Sequence, residues 1–194
     1  YGTDNTSSST STSVDSTTQL AQTKNASGDL QKSVASLLTK GSKSLFNEVE
    51  KTDENGKTTK EYDMDKIYDG IKSFADDYNK TLSAVSKSSV DSISRSAASM
   101  TSTTKANSNL LKSVGITINS DNSLSVDKTK LKSADVSTLK SLFNSTGSYG
   151  YFIGTKASEM NASATFEASK TNTYTNTGSY SSSVSSGDLY DSLF

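Results

Sequence analysis

The sequence predicts a mainly helical α+β protein: an elongated helical bundle around one long helix, two small β-hairpins, and flexible Ser/Thr-rich ends. Three observations carry this reading. A single apolar stripe at helical spacing runs through the middle of the chain, and two alternating segments bracket polar turns. Ser and Thr make up roughly a third of the 194 residues, while hydrophobic residues reach only 31%. With so little apolar material, a core closes over part of the chain and the rest stays solvated. The expected division is a flexible arm over 1–27 and a helical core over 28–145, with hairpins near 46–63 and 116–126. A weak helix or loop over 146–172 and a flexible tail over 173–194 follow.

From Asp29 onward, Leu30, Val34, Leu37, Leu38 and Leu45 recur at helical spacing, with Gly41 a weak point inside the run. Segments 46–51 and 57–63 then flank Asn55-Gly56, a dipeptide that supplies the positive φ angles of a tight hairpin turn. The strongest periodicity follows. Ile67, Ile71, Phe74, Tyr78, Leu82, Val85, Ser89, Ile93, Ala97 and Met100 step by three and four in a pattern repeating every eleven residues, close to a straight helix. One helix over 67–100 would span about 50 Å. Beyond Ser89, serine and alanine replace the large aliphatics, which marks 86–91 as the place for a break. Such a stripe must pack on another helix, in this chain or in a second copy, so Ile67, Ile71, Phe74, Tyr78, Leu82 and Val85 are the expected interaction residues.

After Leu110 and Leu111 the period changes. Ile116 and Ile118, a polar turn over 119–123, and Leu124 and Val126 read as a second hairpin. Asp127 is placed to cap a helix carrying Leu131, and Ser133 or Asp135 restarts it toward Val136, Leu139, Leu142 and Phe143. Gly147, Gly150 and Gly154 punctuate the next stretch, where a weaker helix passes through Ile153, Ala157, Met160 and Ala164. In the tail, Leu189, Tyr190, Leu193 and Phe194 share a helical face, the pattern of a short docking motif.

The alphabet is as informative as the pattern. The chain contains no Cys, His, Pro or Trp. Without histidine the usual neutral-pH proton shuttle is missing, and without cysteine so are the thiolate nucleophile and the soft metal ligand. Net charge is −1 with 21% charged residues, so no basic surplus points to nucleic acid. No apolar run approaches the roughly 18 residues of a membrane span. Asp63, Asp65 and Asp69-Gly70 miss the spacing of a calcium loop, and Phe74 stands where a bidentate glutamate belongs. Asp76 and Asp77 are neighbours and diverge on a helix by about 100°. Ser-x-x-Lys occurs at Ser102, Ser125 and Ser137, a spacing that a serine-rich chain produces freely and that lacks its companion motifs here. The Gly147 to Gly154 glycines lack the lysine and preceding strand of a phosphate loop. Asn5-Thr-Ser and Asn79-Lys-Thr match glycosylation acceptors with equally little specificity. No cofactor, metal or catalytic residue is expected.

Two blocks carry a resemblance. Tyr62-Asp-Met-Asp-Lys-Ile with Ile71-Lys-Ser-Phe74-Ala-Asp-Asp-Tyr78-Asn79-Lys80 forms the first. Leu111-Lys-Ser-Val-Gly115-Ile116-Thr117, Leu124-Ser-Val-Asp127, Lys130-Leu131 and Leu139-Lys-Ser-Leu142-Phe143 form the second. In this order they resemble the core of bacterial flagellar filament-capping proteins, over residues 62–143. Members of that family are usually longer, with large outer β-rich domains and apolar helical segments near both chain ends, whereas both ends here are Ser/Thr-rich. The resemblance implies a helical bundle with attached hairpins, self-association or contact with flagellin and other flagellar axial proteins, and export to the flagellum. A cytoplasmic location is the alternative. An unfolded exported chain gains from avoiding disulfide errors and slow prolyl isomerisation, in keeping with the missing Cys and Pro. The expected function is non-catalytic assembly by helix packing. Its rivals are a monomeric binding module that recruits a partner through its C-terminal tail, and a hydrolase built on serine and lysine.

Overall fold

The computed structural model describes residues 15–171, so most of the expected arm, the tail and its Leu189, Tyr190, Leu193 and Phe194 lie outside the described residues. Helix α1 (Thr17–Leu38) leads through a 3-10 turn (Gly41–Lys43) to strands β1 (Glu48–Thr52) and β2 (Thr58–Tyr62). Helices α2 (Met64–Val85), α3 (Asp91–Ala106) and α4 (Ser108–Ser113) precede strands β3 (Ile116–Ile118) and β4 (Leu124–Val126). Helices α5 (Lys128–Lys132), α6 (Val136–Phe143) and α7 (Tyr149–Thr171) complete the fold. The protein is mainly helical, with two separate two-stranded antiparallel sheets.

Helix α1 starts inside the segment expected to be a flexible arm. Ser16 caps it, accepting from the Gln19 N–H at 3.1 Å. Its inward positions in the first two turns after Leu20 are Thr23 and Ser27, both buried, so a count of apolar residues misses these turns. The helix stops at Leu38, and Gly41 at φ +69° redirects the chain. Leu45 therefore lies past the helix rather than on it. The first hairpin pairs Glu48 with Tyr62 through Thr52 with Thr58. Its turn is not the two-residue type expected at Asn55-Gly56: Gly56 alone takes positive φ (+79°). The Gly56 N–H donates to the Asp53 carbonyl, the Asp53 N–H donates to the Lys57 carbonyl, both at 3.0 Å, and Asp53 Oδ1 accepts from the Lys57 N–H. This is the three-residue loop with a glycine bulge.

The long stripe is carried by two helices rather than one, and the break falls at the expected place over 86–91. Helix α2 ends at Val85, a turn over 86–90 reverses the chain, and α3 begins at Asp91. The three-four stepping crosses the break because Val85 and Ile93 both point inward, one on each side of it. Antiparallel contacts then close a bundle of α1, α2, α3 and α7. Thr81 of α2 lies over the Ala26 carbonyl of α1 at 3.1 Å, Asn161 of α7 donates to the Lys24 carbonyl of α1 at 2.7 Å, and Ser96 of α3 donates to Glu159 of α7 at 2.8 Å. The four helices alternate up and down. One pole carries the start of α1, the end of α7 and the α2–α3 turn; the other carries the loops and small elements.

Helix α7 runs well beyond the weak helix expected near Ile153 to Ala164. It packs against α1 along most of its length, and at Gly154 a Cβ would come within 2.7 Å of Val34 Cγ1. The helix expected after Asp127 does restart at Asp135. Each aspartate caps its helix, accepting from the Lys130 N–H at 3.0 Å and the Thr138 N–H at 2.9 Å.

Gly115 (φ +85°) bends the chain into β3, and a Cβ there would meet Lys130 Cβ at 2.8 Å, Leu131 N at 3.0 Å and Asp127 O at 3.1 Å. Gly147 (φ +76°) has open space around it. Gly147→Ala should cost about 1–2 kcal/mol from the left-handed backbone alone. Gly115→Ala, which adds the clash, should cost about 3 kcal/mol or more. Urea unfolding of both variants checks the difference; equal losses would show that the Gly115 contacts are unimportant.

Candidate functional site

The six stripe residues face inward within a single chain. Ile67, Ile71, Phe74 and Tyr78 are fully buried, Val85 nearly so and Leu82 half-buried. A second copy is not needed to cover them. Phe74, Phe143 and Tyr149 meet edge to face at ring-centroid distances of 5.4–6.0 Å, drawing α2, α6 and α7 together.

Above this aromatic layer lies a buried hydroxyl cluster. Tyr78 OH donates to Thr104 Oγ1 at 3.0 Å, and Thr104 Oγ1 lies 3.1 Å from Tyr149 OH and 2.9 Å from the Met100 carbonyl. The single Thr104 proton goes to Met100, the preceding turn of its own helix. Both tyrosines then donate to Thr104, which has two lone pairs to receive them. Burial pushes the Tyr78 and Tyr149 phenols up from their ordinary range, outweighing the effect of their contacts with Thr104. Both therefore remain donors. One threonine thus joins α2, α3 and α7.

The residue after Tyr78 joins the two family-like blocks. Asn79 Nδ2 donates to the Leu124 carbonyl at 2.9 Å, and the Leu124 N–H donates to Asn79 Oδ1 at 2.7 Å. A side-chain amide thereby mimics a neighbouring strand and fastens β4 along α2. Lys132 pairs with Asp65 at 2.9 Å, and Lys128 lies 5.0 Å over the Tyr68 ring, extending the same contact.

Several of the remaining polar candidates have structural partners. Asp63 caps α2 by accepting from the Lys66 N–H at 3.1 Å. Asp76 and Asp77 form ion pairs along α2 with Lys72 and Lys80. Among the described residues no group of three or more acidic residues is arranged to hold a metal ion. Ser137 donates to Asp135, while Lys140 donates to the Tyr62 hydroxyl and covers its ring at 4.7 Å. Ser125 is paired with Asn119. Gly150 and Gly154 sit inside α7 rather than in a phosphate loop. No described helix is long and apolar enough to cross a membrane.

Sequence reasoning passes over three residues that hold the molecule together. Thr104 continues the stripe four residues beyond Met100, and that register is the available signal. Asn144 donates from Nδ2 to the Leu37 and Thr39 carbonyls at the end of α1, and Lys40 donates to its Oδ1 at 2.8 Å. Asp15 is buried at the pole of the chain ends, where it accepts from Ser88 Oγ at 2.5 Å, the Ser89 N–H at 2.6 Å and Ser89 Oγ at 2.7 Å. It pins the start of α1 to the α2–α3 turn. Nothing in a serine-rich stretch distinguishes Asp15 or its partners. Comparison with known proteins returns no matching family model, curated protein or solved structure.

Thr104→Val keeps the shape and strands two buried phenols, so it should cost about 2–5 kcal/mol in chemical denaturation. In a Tyr78→Phe/Tyr149→Phe background the same change should fall within about 1 kcal/mol, because no phenol is left unpaired. Equal costs in both backgrounds would disprove the cluster. At Asp15, burial raises the pKa, but the Ser88 and Ser89 hydrogen bonds outweigh it and leave the group below its ordinary value. Its contribution to stability is therefore present above the unfolded-state pKa and lost as pH falls through the lower folded-state value. Wild-type stability should drop between about pH 5 and pH 2 more steeply than that of Asp15→Asn; parallel profiles in thermal melts would refute the assignment.

Proposed function

We propose that this chain is a non-catalytic structural module of a bacterial flagellar assembly, resembling the core of filament-capping proteins. The observation that carries the reading is the Asn79–Leu124 clamp. The blocks that resemble the family are separate in sequence, and an amide of the first holds the main chain of the second. They form one physical unit, which supports reading them together. The alternating bundle adds support, since α1 begins and α7 ends at one pole and the opposite pole stays clear of both.

The inward stripe changes the expected mechanism. Side-by-side packing through Ile67, Ile71, Phe74 and Tyr78 would require opening the core, so association with further copies, with flagellin or with other axial proteins uses outer faces instead. The same burial favours a second reading, a closed monomer that recruits a partner through residues 189–194. Deleting those residues separates the two: lost capture at unchanged molar mass speaks for the second.

The deciding experiment compares medium and cytoplasm, and swimming motility, with and without the gene. The expected outcome is protein outside the cell and loss of motility in its absence. Retention in the cytoplasm together with normal motility would overturn the flagellar reading.

A further inference from the structure

The hairpin of β1 and β2 buries almost none of its own surface. Eight of its ten strand residues are exposed, with Val49 and Tyr62 half-buried, and beyond the pairing of its strands neither packs extensively on another element. A two-stranded ribbon in water is marginal without a third strand or a covering layer.

The hydrogen-bond pattern defines what the ribbon offers. The Asp53–Lys57 bond closes the loop, and antiparallel pairs alternate between bonded and non-bonded types. The Lys51–Thr59 and Val49–Glu61 pairs are therefore bonded inside the ribbon. Glu48, Glu50 and Thr52 of β1, and Thr58, Lys60 and Tyr62 of β2, turn their N–H and C=O groups outward. None of these backbone groups bonds to another backbone group outside the strands among the described residues.

Charge selects among the possible occupants of these edges. Two β1 edges centred on one another would place Glu50 opposite Glu50, and two β2 edges would place Lys60 opposite Lys60. Like charges directly opposite are unfavourable. A β1 edge against the β2 edge of another copy repeats the register of the ribbon itself: Glu50 opposite Lys60, Thr52 opposite Thr58, Glu48 opposite Tyr62.

We propose that copies of this chain associate ribbon to ribbon, the outer edge of β1 pairing antiparallel with the outer edge of β2 of the next copy around a Glu50–Lys60 contact. This rests on the assembly reading and names its surface. The contact is heterologous, so each copy keeps one free edge of each kind and the row continues or closes into a ring. A single edge of five residues is weak, and pairing depends on high local concentration.

The test is sedimentation of the full chain over a range of concentrations, with Glu50→Lys, Lys60→Glu and their equimolar mixture, and amide protection read at residues 50 and 60. Wild type should associate as concentration rises and protect both amides. Each variant alone should associate about tenfold more weakly, because attraction becomes repulsion. The mixture should regain wild-type association, because the two introduced charges, of opposite sign, face each other at one edge and the native Glu50 and Lys60 face each other at the next. Neither variant has regained the Glu50–Lys60 pair within its own ribbon, so recovery on mixing cannot come from repair inside a chain. A wild type that stays monomeric throughout, or a mixture no better than its components, would overturn the proposal. Failure here with an exported protein that motility requires strikes the ribbon alone; ribbon association by a cytoplasmic protein with no effect on motility strikes the flagellar reading alone.

Discussion

An amphipathic helix of 22 residues cannot leave its apolar stripe in water, and the burial of that stripe on α2 organises the rest of the molecule. Each large side chain fully buried contributes about 1.5–3 kcal/mol, and α2 buries Ile67, Ile71, Phe74 and Tyr78 completely. Helix α1 covers one side of the stripe, α6 and α7 meet it through the aromatic layer, and the β3–β4 hairpin is held alongside by Asn79. The turn over 86–90 follows from the same constraint, because a rod continuing to Met100 would carry Ile93 and Met100 away from the covering helices.

Such a serine-rich chain closes a bundle by using hydroxyls as core material. Toward the pole of the chain ends, the inward positions include Thr23, Ser27, Thr81 and Ser96. Ser27 donates to the Thr23 carbonyl at 2.7 Å, Thr81 lies 2.8 Å from the Asp77 carbonyl, and Ser96 reaches Glu159. Bonding to its own helix satisfies a hydroxyl without a partner across the interface, and its small volume lets helices approach closely. Among the described residues no buried side-chain nitrogen or oxygen lacks a hydrogen bond. The large aromatic residues gather toward the opposite end, where Phe74, Phe143 and Tyr149 meet.

This division explains what is legible in the sequence. Helix α2, both hairpins and the capped helices after Asp127 and Asp135 announce themselves, because large apolar residues at the right period or an acidic cap mark them. The first turns of α1 are silent, because their inward residues include Thr23 and Ser27, and α7 announces itself only weakly, because Ala157 and Ala164 alternate with Ile153 and Met160 on its inward face. Periodicity of small and hydroxyl side chains is invisible to a count of hydrophobes. The break over 86–90 is marked only by the thinning of large aliphatics, because Val85 and Ile93 keep the stripe's register across the reversal. The expected interaction stripe packs within its own chain, one of the two alternatives left open by its period, since periodicity reports that a face is buried and not which chain buries it. Thr104 goes unseen because its register beyond Met100 is carried by a hydroxyl, one threonine among many until two tyrosines converge on it.

The alternating bundle also gives the module a direction. Both described ends leave from the pole that Asp15 pins, whereas the exposed ribbon springs from the other, where α1 finishes and α2 begins. A helix of the length of α2 separates these poles by about 33 Å. On the proposed reading, an attachment at the pole where α1 begins and α7 ends and a lateral contact through the ribbon would not compete for surface, and a row of copies linked at one pole would stay free at the other. The buried stripe then has a structural task in assembly without touching a partner: it keeps the two poles at a fixed distance and orientation. Side-by-side association through α2 would sacrifice that rigidity, because exposing Phe74 and Tyr78 to a neighbour dismantles the aromatic layer and the Thr104 cluster that hold the helices together.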